Sequence, residues 1–245
     1  MNARNLFLLL GIICMPANFA MAQDADRIGW SITPYLWASD TSVDLTFRDT
    51  NIGAGKLSFD DLMDIVETSF MVHLEGGKGN WSAFADVTYL DTSDTEQRTL
   101  LTVDTDSKQR VVDAAVAYWP KGSGTPLNFY GGLRYTSFDD RYTFSLNGTE
   151  LGTQRSTDAY SDVLLGVRYR FDLADKWALL TQADYNFGDS EGGFMLRGNF
   201  AYTVGSRQQN RILFGYQYKQ ADFKDGDLTT AFTYAGPMAG FNFRF

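Results

Sequence analysis

Apolar and polar residues alternate with a period of two along most of this chain, a period that sends each type to its own face of a β-strand. In Phe241-Asn242-Phe243-Arg244-Phe245 the aromatics share one face and the polar groups the other. Trp177, Leu179, Ala183, Tyr185 and Phe187 stand against Gln182, Asp184 and Asn186 in the same way. Phe194, Leu196, Phe200 and Tyr202 stand likewise against Arg197 and Asn199. Such alternation suits a soluble sheet with one wet face, or a barrel whose apolar face meets lipid. Three features favour the barrel: aromatics gather near the ends of segments that have the length of tilted spanning strands, the connections alternate between short and long, and the chain ends on the aromatic Phe245 within an alternating strand.

The pattern predicts strands near 28 to 38, 69 to 76, 81 to 91, 110 to 119, 127 to 138, 157 to 171, 177 to 187, 194 to 204, 210 to 223 and 230 to 245. The expected fold is all-β, a single antiparallel transmembrane β-barrel of about ten strands, with eight or twelve as alternatives. Twelve would require spanning strands at 42 to 47 and 56 to 59, which are too short for that. The short turns, such as Gly76-Gly77-Lys78-Gly79-Asn80, are rich in Gly, Pro or polar residues that ease a tight reversal. The long connections are 39 to 68, 92 to 109 and 139 to 156, with shorter ones at 188 to 193 and 224 to 229, so the top of the barrel is expected to be uneven. Leu146-Asn147-Gly148-Thr149 reads as a type I′ hairpin, which predicts that the fifth and sixth strands run on above the membrane. Ser58-Phe59-Asp60-Asp61 matches a capping box, and Phe59, Leu62, Ile65 and Val66 follow at helical spacing. A short helix is expected in this first extracellular loop, as a plug in the barrel mouth or a pack on its rim.

Residues 1 to 22 read as a cleaved secretory signal. Arg4 supplies the basic start, Leu6 to Met15 the apolar run, and Ala20-Met21-Ala22 the small residues of a cleavage site. Residues 23 to 245 then form the barrel domain. No later stretch approaches the roughly 18 apolar residues of a helical membrane span. The chain has 30 Asp and Glu against 21 Lys and Arg, a net charge of −9, which argues against a partner read through nucleic-acid phosphates. Its single Cys, Cys14, lies in the signal segment, so neither disulfides nor a cysteine metal site is expected.

Several segments together resemble a family of bacterial outer-membrane β-barrel proteins of unknown function that open with a Pro-Tyr-Leu-Trp strand, here Pro34-Tyr35-Leu36-Trp37. The matches continue through Ser58-Phe59-Asp60-Asp61-Leu62, Trp81 with Asp86 and Tyr89, Gly132-Leu133-Arg134-Tyr135 and Gly166-Val167-Arg168-Tyr169. They end at Gly215-Tyr216-Gln217-Tyr218, Gly236-Pro237-Met238-Ala239-Gly240 and the terminal Phe245. The resemblance implies a barrel exported to the bacterial outer membrane. It implies no catalytic or ligand residue.

With the apolar face outward, Glu75, Asp86, Asp113, Asp162 and Asp184 point inward with Arg134, Arg168, Arg170, Arg197, Lys219 and Arg244. A narrow barrel has room mainly for side chains, so this balanced set reads as a lumen network of ion pairs, or else as the lining of a selective channel. His73, the only histidine, is expected in the lumen near the short-turn end, coupled to Glu75 only through an adjacent strand, because residues two apart on a strand share a face but diverge. One His without Cys makes no zinc site, and Asp222, Asp225 and Asp227 lack the rest of a calcium loop. Neither a cofactor nor a metal is expected. Arg98, Lys108, Arg110, Arg141 and Arg155 are candidates for lipopolysaccharide phosphates or ordinary solubilising charges. The leading functional expectation is a structural or surface-interaction barrel without catalysis, in contact with outer-membrane lipids and with the barrel-assembly machinery during insertion. A small passive, porin-like channel for ions or solutes is the alternative, and an outer-membrane hydrolase acting on lipid A or peptides a third reading.

Overall fold

The structure, a computed structural model, describes residues 28–48, 50–98, 101–122, 124–205 and 210–245. The signal segment, with Ala20 and Ala22, lies outside the described residues. In chain order come β1 (Gly29–Trp37), β2 (Asp40–Phe47), β3 (Thr50–Leu57), α1 (Phe59–Ile65), β4 (Val66–Lys78), β5 (Trp81–Arg98) and β6 (Leu101–Tyr118). They are followed by β7 (Leu127–Leu146), β8 (Thr149–Ala174), β9 (Trp177–Gly188), β10 (Gly192–Val204), β11 (Asn210–Asp225) and β12 (Leu228–Arg244). Strands β4 to β12 pair with their neighbours in sequence, β1 pairs with β4, and β1 also pairs with β12, from Ser31↔Arg244 to Trp37↔Met238. The result is a closed antiparallel ring of ten strands, with β2 and β3 outside it. Closure leaves the ring without a sheet edge, the condition for strands to cross hydrocarbon.

The pleat sorts the wall as the alternation predicts. Leu133 and Leu165 face outward at 61% and 52% exposure, while Leu164 faces inward at 1%. The outward belt is bounded by two aromatic girdles. Near the short-turn end Trp81 packs against Tyr118 (4.6 Å) and Trp177 against Tyr202 (4.8 Å); near the other, Phe70 packs on Tyr89 (5.3 Å) and Phe194 on Tyr218 (5.5 Å). Rings at both rims of an exposed apolar belt suit the two interfaces of a membrane.

The segment from Gly29 to Lys78 is one long hairpin built in two stretches. Its lower ladder runs from Gly29↔Gly77 to Pro34↔Val72, and its upper ladder from Thr41↔Leu57 to Phe47↔Thr50. Between Leu57 and Val66 the descending arm loops out as α1. Ser58 caps this helix: its hydroxyl accepts from the Asp61 N–H, and the Asp61 carboxylate accepts from the Ser58 N–H at 3.1 Å. Those bonds hold the Asp61 carboxyl below the usual carboxylate range. The capping is therefore in place above the ordinary carboxylate pKa and is lost as pH falls through the lowered one. Ser58→Ala is expected to raise hydrogen exchange several-fold across residues 59 to 65 and to leave the ring strands unchanged, as read by exchange mass spectrometry.

Residues 42 to 47 thus prove to belong to β2 and residues 56 and 57 to the end of β3, strands that stand above the ring rather than in it, while Ser58 and Phe59 cap and open α1. The expected long loop at 92 to 109 is corrected, since β5 and β6 continue as strand through residues 98 and 101; at 139 to 156, β7 and β8 run on and meet at Asn147-Gly148, as the hairpin signal predicts. Positive φ at both Asn147 (49°) and Gly148 (78°) makes that turn type I′. The asymmetry between the two ends therefore comes from strands of unequal length more than from loops. Polar residues such as Thr95 and Asp104 (2.6 Å), or Ser93 and Asp106 (3.0 Å), hydrogen-bond across these extensions in place of lipid contact.

Candidate functional site: the barrel lumen

Inward-facing side chains fill the lumen in three tiers. Nearest the short turns, His73 sits between two carboxylates, Nδ1 at 3.0 Å from Asp86 and Nε2 at 3.3 Å from Glu75. His73 and Glu75 lie on one strand and still meet, which corrects the expectation that only a neighbouring strand could bridge them. Ser82 donates to Glu75 at 2.6 Å, and Tyr35 donates to Asp86 at 2.7 Å. Arg168 reaches across the lumen from β8 to Glu75 on β4 (3.0 Å), its guanidinium lying 4.2 Å from the centre of the Phe84 ring. Among the described residues, the buried Nε and Nη2 of Arg168 have no hydrogen-bond partner, and the π-face of Phe84 stands in for one.

The middle tier turns on Arg134, 3% exposed. Its Nε and Nη2 donate to the two oxygens of Asp113 at 2.7 Å each, Nη1 donates to Asn186 at 2.9 Å, and Nη2 lies 3.3 Å from Asp184. Asp184 also accepts from Tyr130 at 2.7 Å, while Asp162 accepts from Asn186 and from the Ser190 hydroxyl at 2.7 Å. Arg197 donates to Gln217 at 2.6 Å and lies over the Tyr35 ring. Lys219 is buried in the same layer, within electrostatic reach of Asp113 and Asp184. A cavity of about 10 Å³ remains beside Arg134, Asp162, Asn186 and Lys219, the size of a single water site.

Above the charges stands an aromatic bar. Phe138 on β7 packs edge-on to Phe223 of β11 (5.2 Å) and flat against Phe232 of β12 (5.7 Å), from opposite sides of the ring. Tyr160 adds to Phe223 (4.6 Å), and Gln109 donates across the lumen to the Tyr234 hydroxyl (3.0 Å). A lower lumen of five carboxylates against four basic side chains and His73 thus lies beneath an aromatic closure.

Of the eleven charged residues expected inside, Glu75, Asp86, Asp113, Arg134, Asp162, Arg168, Asp184, Arg197 and Lys219 meet in these tiers. Arg170 and Arg244 do not: they sit at the short-turn rim, where Arg170 pairs with Asp172 (2.6 Å) and shares the mouth with Arg244 and Arg211. Counting charges alone missed Arg211, and it missed Tyr130 and Gln217, although all three follow the same alternation; Ser190, in the turn between β9 and β10, follows none. The aromatic bar was not singled out from the sequence, because Phe138, Phe223 and Phe232 carry no charge, although their parity with Arg134 and Lys219 puts them inside. Phe59, Leu62, Ile65 and Val66 form the half-covered face of α1, which leans on β2 and β5, and no residue of α1 is buried. Asp227 pairs with Arg48 (2.6 Å), and Lys108 with Asp91 (3.4 Å).

No family model and no curated protein matches the chain. Among solved structures, the outer membrane protease OmpT from Escherichia coli is similar at 9% identity, over 92% of this chain and 99% of that one, with a TM-score of 0.45. The attachment invasion locus protein Ail of Yersinia pestis is similar at 12% identity, over 88% and 99%, with a TM-score of 0.38. The outer membrane protein OprG from Pseudomonas aeruginosa is similar at 14% identity, over 89% and 96%, with a TM-score of 0.32. These are distant likenesses of fold alone.

Proposed function

We propose that the chain is an outer-membrane β-barrel of a bacterium, closed to solutes, whose work is done at the cell surface without catalysis. The observation that carries this reading is the lumen filled across its width, by Arg168 to Glu75 below and by Phe138 against Phe232 above. A porin-like channel would need a continuous watery path in place of those contacts. For a hydrolase, a nucleophile and a base are required within reach of each other. The Ser82 hydroxyl is bonded to Glu75, and His73 is held between two carboxylates at the end away from the protruding strands.

In this reading the long strands β5 to β8 rise outside the cell and the short turns face the periplasm. Lipids surround the belt, with Arg110, 5.7 Å over the Tyr89 ring at its upper edge, placed for a lipopolysaccharide phosphate. The barrel-assembly machinery acts during insertion, and nucleic acid is not a partner. A peptide tag inserted between Asn147 and Gly148 is expected to be labelled by antibody on intact cells, and one between Gly79 and Asn80 only after permeabilisation. The reverse pattern overturns the orientation, and labelling of neither tag in an outer-membrane fraction overturns the location.

A further inference from the structure

The upper part of β8 is an open sheet edge. From Thr149 to Ser161 it pairs with β7, but its pairing with β9 begins only at Asp162↔Gly188, so among the described residues the other side has no strand. At the foot of this edge, Asp189 bonds both backbone groups of Ser161: its carboxylate accepts the Ser161 N–H at 3.0 Å, and its own N–H donates to the Ser161 carbonyl at 3.3 Å. Ser161 therefore points its N–H and C=O outward from the sheet. Backbone groups on a strand alternate in direction, so Ala159, Thr157, Arg155 and Thr153 point theirs the same way. Residues 149 to 157 are exposed on both faces, and no Pro blunts the edge.

Two more observations bear on what would cover it. Beside the edge is a shallow, wide-open cleft lined by Leu101, Phe144, Leu151, Gly152, Thr153 and Gln154. Leu151 is 64% exposed there, and Gly152 leaves the neighbouring position without a side chain. The protruding sheet is also acidic. Its strand segments 92–98, 101–107, 139–146 and 149–160 carry Asp94, Glu96, Asp104, Asp106, Asp139, Asp140, Glu150 and Asp158 against Arg98, Arg141 and Arg155.

We propose that residues 153 to 159 of β8 form a docking edge for an extended, basic segment of a partner protein outside the cell. The segment adds as a further strand, with one apolar side chain seated in the Leu101–Phe144–Leu151 cleft. Backbone hydrogen bonds supply affinity in this mode, the cleft supplies register, and the acidic sheet selects the sign of charge. A second copy in the same membrane is a poor occupant, because its β8 runs in the same direction and antiparallel addition to it would require an inverted barrel. The proposal rests on the extracellular placement argued above.

The test uses the full folded barrel in detergent micelles and a fluorescent peptide of alternating Lys and Thr with one central Leu. A second peptide of the same sequence is N-methylated at alternate residues, which keeps its charge and removes the donors along one edge. The unmodified peptide is expected to bind, the methylated one about tenfold or more weakly. Thr157→Pro with Ala159→Pro, which removes two outward N–H groups and no ladder bond, is expected to weaken the unmodified peptide to a similar degree. Equal binding of the two peptides, unaltered binding by the proline variant, or no binding by the parent barrel each overturns the proposal. The peptide comparison needs no variant and stands even where the proline variant misfolds. The tag-accessibility result is independent of the peptides, so loss of the docking edge and loss of the surface reading are told apart.

Discussion

Replacing Arg134 with Met is expected to destabilise the barrel by about 3–5 kcal/mol, the cost of leaving buried charges without their counterion. Arg134 is the sole bidentate partner of Asp113, and it also approaches Asp184 and donates to Asn186. Met fills much of the same space, so the loss is electrostatic more than steric. Asp184 keeps Tyr130 and Gln182, but no described hydrogen bond from another residue reaches Asp113 once the guanidinium is gone. Adding Asp113→Asn and Asp184→Asn to the Met variant is therefore expected to recover part of the stability, because the orphaned charges go too. Urea unfolding of the protein in lipid vesicles measures both. A loss under about 1 kcal/mol in the single variant, a value ordinary for a surface pair, would contradict the buried network.

Gly236→Val is expected to detach the upper hairpin while sparing most of the ring. Strand β12 changes partner at this point, leaving β1 at Met238↔Trp37 and taking up β2 at Ala235↔Asp40. The exchange is pinned by the Ala38 N–H donating to the Pro237 carbonyl (2.9 Å) and by Trp37 Nε1 donating to the Gly236 carbonyl (3.3 Å). A Cβ on residue 236 would lie far inside van der Waals contact distance of the Ala38 carbonyl oxygen, a backbone atom with no rotamer to escape through. Overpacking of this kind costs about 1–3 kcal/mol, and here it falls on the β2–β12 ladder, the only described pairing that ties β2 and β3 to the barrel. Hydrogen exchange across residues 40 to 57 is expected to rise well above that of β9 and β10. Unchanged protection there would mean that the hairpin is held by something other than this exchange of partners.

The ring was legible in the sequence because its signal is repeated: each spanning segment alternates over enough residues to fix both its position and its inward set. Ten segments with Gly-rich turns at one end leave little choice of topology. The region 39 to 68 was harder, since β2 and β3 have eight residues each and pair in a hairpin whose descending arm is broken by α1. Local composition there predicted the helix and its cap but not the register that joins the two ladders. The protruding parts of β5 and β6 were read as loop because their outward residues, such as Thr95 and Asp104, stop being apolar where lipid ends, and an apolar face was the signal in use. Arg168 and Glu75 were each assigned to the lumen, yet their meeting across it depends on barrel diameter and strand tilt, which no single strand encodes. Phe138, Phe223 and Phe232 carry the same lesson: the sequence reading did not single them out, and only closure of the ring brings them into contact.

The central claim is that strand side chains close the lumen, and single-channel recording in planar bilayers tests it most directly. Both the intact barrel and a variant lacking residues 56 to 67 are expected to be silent, because the Arg168–Glu75 bridge and the Phe138–Phe232 stack lie on ring strands and survive the deletion. Stable conductance steps from the intact protein would contradict the account outright. Steps from the deletion alone would move the closure to α1 and contradict it in its stated form.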